Sequence, residues 1–296
     1  MGSGPTEYPV QRGIASLKLI PAPDILESTL PEGYVCLITD DGTGLTTSLA
    51  GALTGLNWNV VVLSYSLGAT FETDLISAVA RTEVDKELNF NRKTSPVEAV
   101  AGLGERAGLH YVNLDGMDED ELQGKLAEIT TSIGPIGAVI HLNPHQNPPM
   151  KAEFNTANVV TQTAPESFAN QEKLIVRLVF MLAKHLKGTI NESAQKGRGI
   201  FMSITHLDGQ FGLSMQSDFD PISGGLFGLV KTLNLEWEPV FCRAVDLDPA
   251  FGIQESTDRI LAELFDPNRL ISEVGYSQRG RLTLVVEPVS GKKESK

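Results

Sequence analysis

Positive charge is scarce in this chain: 24 Lys and Arg face 37 Asp and Glu, a formal net charge of −13 over 296 residues. A nucleic-acid backbone is held by basic side chains that release its counterions, so an acidic chain with no basic stripe is read as having no nucleic-acid partner. Cysteine is scarcer still. Cys36 and Cys242 are too few for a disulfide framework or a zinc cage, and each sits in a short apolar run that reads as a strand with a buried, reduced thiol. No apolar run reaches the roughly 18–20 residues of a membrane span. Met1 to Gly4 lacks the charged and apolar regions of a secretory signal, so a cytoplasmic protein with no membrane partner is expected. His110, His145 and His185 have no second ligand at i+2 or i+4, and no metal site is expected.

What is present describes an ordinary globular fold: 41% apolar residues, with 28 Gly and 16 Pro. The rhythm along the chain is strand, helix, strand, helix. Val35 to Thr39 is a β-rich run, followed by a Gly-containing turn, a helical stretch from Leu45 to Leu56 and a second strand, Val60 to Ser64. Further strands are expected at Tyr111 to Leu114, Ala138 to Leu142, Gly199 to Ile204 and Arg243 to Leu247. Helices are expected at Glu119 to Ser132, Gln171 to Lys187 and Ser223 to Glu236. This alternation predicts an α/β fold built on a doubly wound parallel sheet covered on both faces. The acidic run Asp115 to Glu121 reads as a solvated helix start. The helix from Gln171 to Lys187, apolar over most of its circumference, is expected to be buried on several sides.

Three segments depart from the alternation. Residues 1–32 form a leader in which Ile14 to Ile20 reads as a strand before Pro21 and Pro23, and the main unit spans residues 33–290. Ser66 to Gly108 is long for a βα connection and reads as an insertion (66–108) with its own helices. Val274 to Tyr276 and Arg281 to Val286 read as a C-terminal hairpin rather than another βα unit, and residues 291–296 as a tail.

Thr39-Asp40-Asp41-Gly42-Thr43-Gly44-Leu45-Thr46 stands after the first core strand, where a dinucleotide-binding protein places its phosphate turn. The chain resembles the short-chain dehydrogenase/reductase superfamily, in which this turn reads T-G-x-x-x-G-x-G. Gly44 matches the middle glycine, but Asp40 replaces the first and Thr46 the third. A carboxylate beside a diphosphate adds like-charge repulsion, and the lost glycines remove the close backbone approach that the turn needs. Asp41 adds to that repulsion. Ser64-Tyr65-Ser66, after the second strand, offers neither an acid for a ribose 2′-hydroxyl nor an Arg for a 2′-phosphate. The resemblance therefore implies a degenerate turn at Asp40, Gly44 and Thr46 that binds no cofactor.

Gly228 to Glu236 looks like the reductase helix that follows the catalytic Tyr. In that register the family's catalytic Tyr falls on Phe219, its Lys on Ser223 and its Ser on His206. Phe219 has no phenolic proton and Ser223 no charge, so the resemblance implies that the catalytic set is lost. More narrowly, Gly224 to Leu233, Trp237-Glu238-Pro239 and Cys242 to Asp248 resemble the structural subdomain of modular polyketide synthase ketoreductases. Tyr34 to Gly42 and Glu273 to Tyr276 are similar to the ketoreductase region of polyunsaturated fatty acid synthase-like multienzymes. The resemblance covers roughly Ile14 to Glu287. It implies a non-catalytic half that supports an NADPH-binding catalytic ketoreductase subdomain, with neighbouring synthase domains as further partners. Two other readings stay open: an active, divergent NADPH-dependent β-ketoacyl reductase using His206, and a ligand sensor that has lost turnover.

Overall fold

The computed structural model describes residues 13–26, 28–65, 108–144, 166–214 and 221–288, excepting the side chains of 166–170, 221 and 288. Among the described residues nine strands form one sheet: β1 (Gly13–Leu19), β2 (Val35–Thr39), β3 (Val60–Tyr65), β4 (Leu109–Leu114), β5 (Ile136–Leu142), β6 (Ile200–Thr205), β7 (Phe241–Leu247), β8 (Glu273–Ser277) and β9 (Gly280–Pro288). Their order is β1-β9-β8-β7-β6-β5-β2-β3-β4. β2 to β8 run parallel, while β9 turns back antiparallel on β8 and β1 lies antiparallel on β9.

The helices are α1 (Gly44–Gly55), α2 (Glu119–Ser132), α3 (Glu166–Lys196), α4 (Gly225–Glu236) and α5 (Ile253–Leu264), with a 3-10 turn, Pro221–Gly224, leading into α4. Strands buried on both faces send alternate residues to opposite cores. Val35 and Leu37 of β2 join a core with Leu122, Leu126, Leu178, Leu182 and Leu226, which α2, α3 and α4 supply. Cys36 and Ile38 join the other, with Leu45, Leu49, Leu53, Ile260 and Leu264 from α1 and α5. The doubly wound parallel sheet with a C-terminal hairpin is thus the observed architecture. Both cysteines are buried and unpaired, Cys36 in β2 and Cys242 in β7.

Two helices differ from the sequence reading. α3 spans 31 residues and is amphipathic. Lys173, Arg177, Phe180, Lys184 and Lys187 are not buried, while Ile175, Leu178, Val179 and Leu182 are. Its apolar letters run together in sequence, but the sheet covers only one side of it. α5 has no counterpart in that reading, because its inward face is largely polar: Ser256, Thr257 and Glu263 are buried beside Ile260 and Leu264. β8 is consequently both the last parallel strand of a βαβ unit and the first arm of the hairpin.

The acidic run does begin a helix. Asp118 caps α2 by accepting the Glu121 amide at 2.9 Å. Glu119 also ties α2 to α3 through Lys184 (2.6 Å) and His185 (2.8 Å). The strand in the leader is hydrogen-bonded along β9 from Gly13 to Leu19. The insertion's residues 66–107, the tail, His145 and Phe219 lie outside the described residues.

Candidate functional site

β2 and β5 are neighbours in the sheet, yet the chain leaves them in opposite directions, to β3 on one side and β6 on the other. In a doubly wound sheet the crevice at the carboxyl ends of such strands is the place where ligands bind. The turn from Asp40 to Gly44 opens here, and so do the ends of β3, β5 and β6.

The turn is held by its own side chains. Asp41, 6% exposed, accepts the Thr43 amide at 3.0 Å, the Thr43 hydroxyl at 2.6 Å and the Thr46 hydroxyl at 2.6 Å. Its own amide donates back to Thr46 Oγ1 at 3.1 Å. Asp40 accepts the Gly42 amide at 3.0 Å and the Ser64 hydroxyl at 3.0 Å, which joins the ends of β2 and β3. Thr43 is the N-cap of α1 and accepts the Leu45 amide at 3.1 Å. Amides at a helix N-terminus are the usual donors to a phosphate. Here Gly42, Thr43 and Leu45 give theirs to side-chain oxygens of the turn itself. Gly42, at φ 73°, takes a conformation that suits glycine. Gly44 serves packing: a Cβ there would come within 2.8 Å of Ile253 Cδ1 at the start of α5.

Across the crevice, Thr39 Oγ1 at the end of β2 lies 2.8 Å from His141 Nδ1 and accepts the Leu142 amide at 3.1 Å. Burial pushes the His141 imidazole down to about 4, so the ring is neutral near pH 7. Ser223, in the 3-10 turn, donates to Glu172 Oε2 at 2.5 Å and accepts Asn143 Nδ2 at 3.4 Å. All three side chains are buried. Burial, followed by the charges of Asp40, Asp41 and Glu172, raises the Tyr65 phenol at the end of β3. The crevice is therefore lined by carboxylates, and Ser223 meets one of them.

His206 directly follows β6 and opens a loop folded on two acids. Asp246, at the end of β7, accepts the amides of Leu207 and Phe211, each at 2.8 Å. Asp208 accepts those of Gln210 (2.7 Å), Gly212 (2.8 Å) and Ser214 (2.9 Å). Burial raises the Asp246 carboxyl to about 7. For Asp208 burial acts in the same sense, but the bonds from Ser214, Gly212 and Gln210 leave its carboxyl below the ordinary value.

Sequence reasoning located Asp40, Asp41, Thr46, His206 and Ser223 at this edge but missed two relations. The closed ring between Asp41 and Thr46 joins residues read as separate losses. Glu172 was hidden near the start of the helical run from Gln171 to Lys187, where nothing in the letters marks one acid for burial.

The chain matches no protein-family profile. Its fold is that of solved short-chain oxidoreductases. A metagenomic short-chain oxidoreductase in complex with NADP has a TM-score of 0.52 at 17% identity, covering 82% of this chain and 96% of that one. A 3-ketoacyl-(acyl-carrier-protein) reductase from Brucella melitensis complexed with NADH gives 0.50 at 20%, covering 74% and 76%. In sequence, the chain is 33% identical over 107 residues to a polyunsaturated fatty acid synthase polypeptide of a Thraustochytrium species. That match covers 34% of this chain and 4% of the length of that protein. Among the described residues no helix is long and apolar enough to cross a membrane, and no group of three or more His, Cys, Asp or Glu could hold a metal ion.

Proposed function

We propose that this chain is the non-catalytic half of a ketoreductase in a polyketide or polyunsaturated fatty acid multienzyme, supporting a catalytic half that binds NADPH. The observation that carries the reading is the phosphate turn. A dinucleotide would have to displace Asp40 and Asp41 from the Gly42 and Thr43 amides, then sit beside the two released carboxylates in a crevice that also holds Glu172. The Gly42 and Thr43 amides are occupied by carboxylates built into the chain, and the Leu45 amide by the Thr43 hydroxyl.

The catalytic positions point the same way. Ser223 is a hydrogen-bonded partner of Glu172 and Asn143, and a hydroxyl so placed cannot supply the positive charge that lowers a tyrosine's pKa. What remains is a rigid, doubly covered sheet. The synthase relative supports placing that scaffold among the domains of a fatty acid multienzyme.

Titrating the isolated chain with NADPH, by calorimetry and by nicotinamide fluorescence, tests this. No binding is expected up to about millimolar NADPH, and no turnover of a β-ketoacyl substrate. Micromolar binding in the crevice would sink the scaffold reading, and turnover abolished by His206→Ala would establish the divergent reductase instead.

A further inference from the structure

At the opposite ends of the strands, three loops lead into β6, β7 and β8 and border an open pocket of about 130 Å³ whose lining includes Arg198, Arg269, Phe241, Asp266 and the two glycines Gly197 and Gly199. We propose that this pocket binds a phosphate-type oxyanion between the Arg198 and Arg269 guanidiniums.

The argument begins with charge balance. Arg243 and Arg281 are the neighbours of this pocket, and two buried carboxylates, Glu263 and Asp266, neutralise them. The Asp266 carboxylate in the lining is thus already held, by Arg281 at 2.6 Å and Arg243 at 3.4 Å. Arg198 and Arg269 have no carboxylate partner among the described residues. Arg198 donates to Ser28 Oγ and to the Leu264 carbonyl at the end of α5. Arg269 donates to the Glu238 carbonyl and, at 3.0 Å, to that of Val240. These carbonyls fix the two side chains and offset part of their charge, for Arg198 at the end of α5, but each guanidinium has five N–H donors, and three on each remain. In a chain of net charge −13, two fixed guanidiniums at one pocket, neither paired with a carboxylate among the described residues, form a local positive site.

Two further features fit an anion. Phe241 is buried, and the Arg198 guanidinium lies 5.4 Å from its ring centroid, so the pocket floor leaves Arg198 partly desolvated. Burial alone pulls the Arg198 guanidinium down to about 10, and a bound anion would reverse that. The loops entering the strands lie at the opposite strand ends from the crevice, so this site does not depend on the scaffold reading.

The test titrates inorganic phosphate into the full chain against chloride of equal ionic strength, following thermal unfolding and the NMR amide shifts of Gly197 and Gly199. The expected result is a saturable stabilisation at millimolar phosphate, weakened about tenfold in Arg269→Gln. Arg269→Lys is expected to recover only part of it, because an ammonium lacks the fork. Arg269 is exposed, so its variants keep the fold even if Arg198→Gln does not. A stabilisation that rises without saturating, equal in wild type and Arg269→Gln, is the general effect of a salting-out ion and overturns the proposal. Saturation by acetate but not phosphate also overturns it, in favour of an acidic protein partner. NADPH binding that Arg269→Gln abolishes would belong to this pocket through a phosphate group, whereas NADPH binding that survives the variant would count against the scaffold reading alone.

Discussion

Asp41 does at the residue scale what a bound phosphate does in a nucleotide-binding turn: it accepts from the amide and hydroxyl groups at the start of α1. Removing it leaves three donors short of an acceptor in a nearly buried place. Asp41→Ala is expected to destabilise the chain by about 2 kcal/mol in urea unfolding. Introducing glycines into the turn is expected to have no catalytic effect, since Ser223 still faces Glu172; appreciable reduction of a β-ketone by the Asp40→Gly/Thr46→Gly double variant would refute this account of the site. Asp246 predicts an unusual pH response. Its folded carboxyl titrates at about 7 and its unfolded carboxyl near ~3.9, so the folded chain holds the proton more tightly. This contribution is full below the unfolded value and is lost as pH rises towards 7, with a slope approaching about 1.4 kcal/mol per pH unit. Asp246→Asn mimics the protonated form. Denaturation midpoints between pH 4.5 and 7.5 should fall less steeply in that variant than in wild type, and parallel curves would show that Asp246 is not the titrating group.

At the scale of elements, the loop after β6 is held against β8 by backbone contact. Gly209 has φ 65°, and a Cβ on it would stand 1.9 Å from the Tyr276 carbonyl oxygen. A Cβ on Gly275 would meet the Gly209 oxygen at 2.4 Å. Neither neighbour is a side chain that can swing away. Gly209→Ala is therefore expected to cost about 3 kcal/mol or more, and hydrogen exchange should quicken first at Leu207, Phe211 and Gly212, whose amides bond Asp246 and Asp208. Gly44 gives the contrast: its Cβ would meet only the flexible Cδ1 of Ile253. Gly44→Ala should cost less, about 1 kcal/mol or below, and Ile253→Val should relieve it. α3 and α5 carry the same lesson in reverse: α3, read as apolar over most of its circumference, exposes one face, while α5, absent from the sequence reading, packs Ile260 and Leu264 inward.

For the whole molecule, the added edge of the sheet is joined to the core by charge as well as by strand pairing. Arg281 of β9 bonds Glu263 and Asp266 at the end of α5 (2.6 to 3.0 Å) and the Pro21 carbonyl in the leader at 2.9 Å. Glu263 also accepts the Tyr276 hydroxyl at 2.5 Å and pairs with Arg243. A buried ion network adds little net stability when complete but is costly to break, because the surviving charges stay buried. Arg281→Met is expected to lose about 3–5 kcal/mol, with residues 13–26 gaining hydrogen exchange before β2 and β5. Uniform exchange across the sheet would place the leader in the same cooperative unit as the core.

By itself, the sequence determined the alternation of elements and the chemistry available to them. The runs Val35 to Thr39 and Glu119 to Ser132 coincide with β2 and α2, because apolar periodicity and a capping Asp118 are local signals. Asp40 and Thr46, flanking the Gly42 and Gly44 of the turn, and the shortage of positive charge are likewise plain in the letters. Only the tertiary structure decided what those residues do. Asp41 meets Thr46 because a helix starts between them, and Ser223 meets Glu172 across 51 positions of chain because α3 and the 3-10 turn converge on β5. The strand order that lays β1 beyond β9 is likewise a long-range pairing. Hydrogen bonds and ion pairs act over a few ångströms of space, and periodicity in a sequence reports only which face a residue takes, not which residue it will find there.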